Sequence, residues 1–82
     1  MIRMEKQTPA TPQQVIDQAV AFFGPGGFGL DVEECGPYCA YFQGAGGYVN
    51  INVTDCEDEP GSEIEIEGRE WERQIRKFLA EI

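Results

Sequence analysis

The sequence predicts an α+β domain of two layers: a four-stranded antiparallel meander with an N-terminal and a C-terminal helix packed on one face, in the order α-β-β-β-β-α. Three observations carry this expectation. Glu63-Ile64-Glu65-Ile66-Glu67 alternates with period two, the pattern of a strand with one buried side. After Gly68 the apolar residues fall at Trp71, Ile75, Phe78, Leu79 and Ile82, one stripe of a 3.6-period helix. Finally, a turn at Ala45-Gly46 sets Phe42 opposite Val49, Ala40 opposite Ile51 and Tyr38 opposite Val53, so that apolar residues meet across a hairpin. A half-buried strand and an amphipathic helix each need a partner surface, which makes a helix-on-sheet core the economical solution.

Residues 1–10 are polar, end in Thr8-Pro9-Ala10 and read as a flexible tail, leaving 11–82 as a single domain. The first helix opens at Thr11, a suitable N-cap, with Pro12 in the first helical position and Gln14 completing a capping box. Val15, Ile16, Ala19, Val20, Phe22 and Phe23 give it a broad apolar face, and Gly24-Pro25 stops it, with Gly24 expected as a left-handed cap. Gly24-Pro25-Gly26-Gly27-Phe28-Gly29 contains G-x-G-x-x-G, but a helix precedes it and a strand follows. That inverts the dinucleotide-binding arrangement and favours a plain connection.

The first strand is expected to turn Phe28, Leu30 and Val32 inward. A three-residue loop at 35–37 would set Val32 opposite Ala40 and Leu30 opposite Phe42, whereas a slipped register would set Cys35 opposite Cys39. Asp55-Cys56-Glu57-Asp58-Glu59-Pro60-Gly61-Ser62 reads as a solvated acidic turn without calcium-loop spacing. The element order is similar, in topology only, to the double-stranded RNA-binding domain and to part of the much longer helix-grip, lipid-transfer type of fold. The first needs basic residues where this chain has Gly68-Arg69-Glu70-Trp71-Glu72-Arg73, and no motif supports the second. No family is assigned.

Composition narrows function. The 82 residues hold 15 acids against 6 bases, a net charge of −9. Such a surface repels phosphate backbones and anionic lipid, so neither nucleic acid nor membrane is an expected partner. Charge of this sign also maintains solubility without any partner. The N-terminal residues have no apolar run of signal-peptide length, and three cysteines cannot pair completely within one chain; both point to a cytoplasmic location. Histidine is absent, which closes the commonest acid–base and nucleophile-pair routes, and no enzyme activity is expected. Glu70 and Glu72 are expected to be solvent partners of Arg73 and Arg76 at helical spacing.

The leading candidate surface is the outward sheet face, where Tyr41, Gln43, Tyr48, Asn50 and Asn52 would form a partner-binding stripe. Asp31 and Glu33 would line one edge and Glu63, Glu65 and Glu67 the other, suiting a basic or amphipathic protein; Tyr contributes contact area at low entropy cost. The same residues also suit an ordinary solvated face. The chain itself would be a monomer or a weak homodimer. The alternative is a small-ligand or metal-binding domain using the glycine-rich loop or the cysteine end. There Cys35, Cys39 and Cys56 would gather beside Glu57, Asp58 and Glu59 as candidate soft-metal ligands, although no cofactor is expected. A pocket near Trp71, Phe22, Phe23 and Phe28 is a further candidate, and in so short a chain those rings are more simply the core.

Overall fold

The elements run β1 (Ile2–Thr8), α1 (Pro12–Phe23), β2 (Asp31–Cys35), β3 (Cys39–Gly44), β4 (Gly47–Asp55), β5 (Ser62–Arg69) and α2 (Glu72–Glu81). They are seen in a computed structural model that describes residues 1–56 and 61–82. The sheet order is β1-β5-β4-β3-β2, and every neighbouring pair is antiparallel. The class is α+β as expected, but the sheet has five strands rather than four. The expected acidic turn falls partly on residues outside those described.

The added strand comes from the segment expected to be a loose tail. Ile2, Met4, Lys6 and Thr8 share one side of β1, paired with Gly68, Ile66, Ile64 and Ser62. Ile2 and Met4 are half-buried against the core. Lys6 takes an inward position because its aliphatic stem covers apolar surface while its Nζ donates to the Leu79 carbonyl near the end of α2. A cation there also complements the helix dipole. Thr8 is buried and accepts from the Ala10 N–H at 3.3 Å, and Ser62 Oγ donates to the Ala10 carbonyl at 2.8 Å. With Lys and Thr in inward positions, the period-two pattern of this strand was masked.

α1 begins as its sequence dictates. Thr11 Oγ1 accepts from the Gln14 N–H at 3.3 Å, and Gln14 Oε1 accepts from the Thr11 N–H at 2.9 Å. Removing the reciprocal cap with Thr11→Ala should cost about 1 kcal/mol, read as a lower urea midpoint at unchanged m-value. At the other end Gly24 has φ −73, so it is not the left-handed cap expected; Gly29, with φ 85, holds the left-handed position instead. Gly24 is required by close approach, because a Cβ there would overlap the Val20 carbonyl.

One apolar cluster joins both helices to the same sheet face. α1 lies over β3 and β4 and contributes Val15, Ile16, Ala19 and Phe23; α2 lies on β5 and contributes Ile75, Phe78 and Leu79. The sheet supplies Ala40, Phe42, Val49, Ile51, Val53, Ile64 and Ile66, all buried. The β3–β4 register is the expected one, with Phe42↔Val49, Ala40↔Ile51 and Gly44↔Gly47. Tyr38 precedes β3, and although its carbonyl accepts from the Val53 N–H, its side chain is exposed rather than inward.

β2 departs from both proposed registers. Val32↔Phe42 follows the slipped alternative, then a bulge between Val32 and Glu34 shifts the pairing to Glu34↔Tyr41 and Cys35↔Ala40. Leu30 is buried as expected, but Phe28, which precedes β2, is 44% exposed, and Val32, on the edge strand β2, is 37% exposed. No helix among the described residues is long and apolar enough to cross a membrane.

Candidate functional site

The face of the sheet away from the helices is set by the same registers. Residues paired across antiparallel strands share a side, so the outer rows can be read directly. One row runs Glu34, Tyr41, Asn50, Glu67, Arg3; the next runs Cys39, Asn52, Glu65, Glu5; a third, at the hairpin end, runs Asp31, Gln43, Tyr48, Arg69. Thr54, Glu63 and Gln7 complete the far end. Tyr41, Gln43, Tyr48, Asn50 and Asn52 therefore lie together on one surface.

Tyr41 and Tyr48 are diagonal neighbours, with ring centroids 6.1 Å apart and planes inclined by 36°. Gln43 Nε2 donates to Tyr41 Oη at 3.2 Å, and Tyr48 Oη donates to Met1 Sδ at 3.0 Å. Tyr41, Tyr48 and Asn50 are half-buried on this helix-free face. The hairpin beneath is tight. Ala45 and Gly46 have φ 51 and 79, the paired left-handed conformation of a two-residue turn that matches sheet twist. At Gly47 a Cβ would overlap the Arg69 carbonyl, so the absence of a side chain lets the end of β5 close against the turn. Glu70, with φ 71, then leaves the sheet, and Trp71 Nε1 donates to the Gly44 carbonyl at 3.0 Å, pinning the hairpin to the start of α2.

The carboxylates are placed differently from expectation. Glu63, Glu65 and Glu67 do not form a rim: β1 lies outside them, so they make an interior column flanked by Glu5, Gln7 and Arg3. Arg3 bridges to Glu65 at 2.6 Å. On the opposite side Asp31 and Glu34 face the tyrosine rows, because the bulge displaces Glu33 from the ladder. Glu72 pairs with the Met1 amino group at 3.7 Å rather than with a helical arginine, and Glu70 lies outside the helix. Sequence reasoning missed Arg3, Glu5, Glu34 and Arg69 as members of this face. The register of β5 against β4 would have placed Arg69 opposite Tyr48.

The other candidates disperse. Cys35 pairs with Ala40 on the helix side, whereas Cys39 pairs with Asn52 on the outer side, so the expected gathering is at one sheet end but on opposite faces. Cys56 follows β4, with its N–H donating to the Gly61 carbonyl at 3.2 Å, and Glu57, Asp58 and Glu59 lie outside the described residues. Among the described residues no group of three or more metal-ligating side chains converges. In the glycine-rich connection the N–H groups of Gly27 and Gly29 bond the Gly24 carbonyl, and those of Phe28 and Leu30 bond the carbonyls of Phe22 and Phe23. Those donors are spent on the end of α1 and do not form a phosphate cradle. Phe22, Phe23, Phe28, Phe78 and Trp71 stack edge-on and tilted into one another and fill the space between the helices.

Comparison with family models, curated proteins and solved structures finds no match. Function is read from the face itself. That face offers two phenols, four side-chain amides and more carboxylates than guanidiniums.

Proposed function

We propose that this chain is a small non-enzymatic interaction module whose outer sheet face docks a basic or amphipathic segment of another protein. The supporting observation is the Tyr41–Tyr48 pair, with rings 6.1 Å apart and set among Glu34, Glu65 and Glu67 on the side away from the helices. Aromatic rings lose little entropy on binding, and carboxylates beside them favour lysine or arginine over neutral partners. Pairing two copies through this face would bring acidic columns together, so a heterologous partner suits it better than a second copy. A reducing, cytoplasmic setting suits the thiols.

Binding of a lysine- and arginine-rich peptide, measured by fluorescence anisotropy at low salt, tests this reading. Tyr41→Ala and Tyr48→Ala should each weaken the complex about tenfold while moving the melting temperature by only a few degrees. Affinity should also fall as salt rises. Unchanged affinity in both variants would remove the sheet face as the docking surface.

A further inference from the structure

At the hairpin end of the same face lies an open groove of about 380 Å³, lined by Asp31, Gln43, Gly44, Gly46, Gly47, Tyr48 and Arg69. Its chemistry differs from the rest of the surface. Arg69 is exposed, and among the described residues its guanidinium makes neither a hydrogen bond nor a salt bridge, whereas Arg3, the other guanidinium on this sheet face, is held by Glu65. The sharp exit of the chain at Glu70 and the missing side chain at Gly47 bring this end of β5 against the turn. An unengaged planar donor beside a phenol and an amide, in an otherwise acidic setting, is suited to a carboxylate.

We infer that Arg69 receives the terminal carboxylate of the basic segment, so that the partner docks by its C-terminus. This rests on the proposed docking reading and gives it a direction. A simple anion is a poor occupant, because Glu67, one two-residue step along β5, offsets the single positive charge of Arg69 on the same face. The occupant must bring positive charge with its carboxylate. Along β5 the outer side chains are Arg69, Glu67, Glu65 and Glu63, in two-residue steps about 6.7 Å apart. An extended peptide repeats its same-side residues at that pitch, so a carboxylate on Arg69 places alternate cationic side chains over Glu67 and toward Glu63. Asp31 stands across the sheet, about 14 Å away by strand spacing, and closes the groove to further negative charge.

The test uses an N-terminally labelled Lys-Ser-Lys-Ser-Lys-Ser peptide, as the free acid and as the carboxamide, against the full chain. The free acid should bind about fivefold to tenfold more tightly. Arg69→Gln should reduce it to the level of the carboxamide without weakening the carboxamide, and Arg69→Lys should restore part of the difference. If acid and amide bind alike, the inference fails and the basic-segment reading survives. If the preference persists in Arg69→Gln, the carboxylate sits elsewhere and the inference also fails. If neither peptide binds, both readings fall.

Discussion

A chain lacking residues 1–8 should not fold cooperatively at room temperature. β1 pairs with β5 from Ile2↔Gly68 to Thr8↔Ser62, so its loss turns β5 into an edge strand with an unpaired ladder. The loss uncovers Ile64 and Ile66, removes the packing of Ile2 and Met4, and strips the end of α2 of its Lys6 contact. Two half-buried apolar side chains and a ladder of hydrogen bonds, each worth about 0.5–1.5 kcal/mol net, amount to several kcal/mol. A domain of this size has only about 4–12 kcal/mol to lose. Circular dichroism of the 9–82 chain should show a broad, shallow thermal transition. A sharp melt within about 5 °C of the full chain would mean that β1 is an accessory strand.

Phe23→Ala should be the most damaging single substitution, costing about 3–5 kcal/mol. Its ring is fully buried and meets Phe22 at 4.9 Å, Phe78 at 5.4 Å and Phe42 at 5.6 Å, joining both helices to β3. Truncation removes those contacts together and leaves a cavity that three separate elements would have to move to fill. At an m-value near 1 kcal/mol/M, the urea midpoint should fall by about 3 M or more. Phe28→Ala is the matched comparison, since that ring is 44% exposed and, among the described residues, its aromatic neighbours are Phe22 and Trp71. A loss for Phe23→Ala no larger than that for Phe28→Ala would contradict the central position of Phe23.

The parts legible in the sequence are those where local chemistry and burial agree. Thr11, Pro12 and Gln14 specify the start of α1 by hydrogen bonds within one turn, independent of the rest of the chain. Ala45-Gly46 fixes the β3–β4 register by turn geometry, and the apolar pairs across it reinforce the same answer. The illegible parts depend on distant neighbours. Met4 and Lys6 take inward positions on β1 only because Ile66, Ile64 and the end of α2 await them, and nothing within ten residues says so. The bulge in β2 follows from the needs of an edge, where Glu33 can leave the ladder without cost to the core. For the candidate site, the tyrosines and amides were legible through the β3–β4 register. The carboxylate column was misplaced because its outer neighbour was the strand read as a tail.

Pairing of β1 with β5 also orders the folding of the chain in time. Ile2 must wait for Gly68, so the sheet cannot be completed until β5 has been synthesised. Meanwhile the local β3–β4 hairpin is free to form early. Closing so long a loop is entropically slow compared with forming that hairpin. β1 should therefore be the last element to gain protection from hydrogen exchange during refolding, even though it precedes the other elements in chain order.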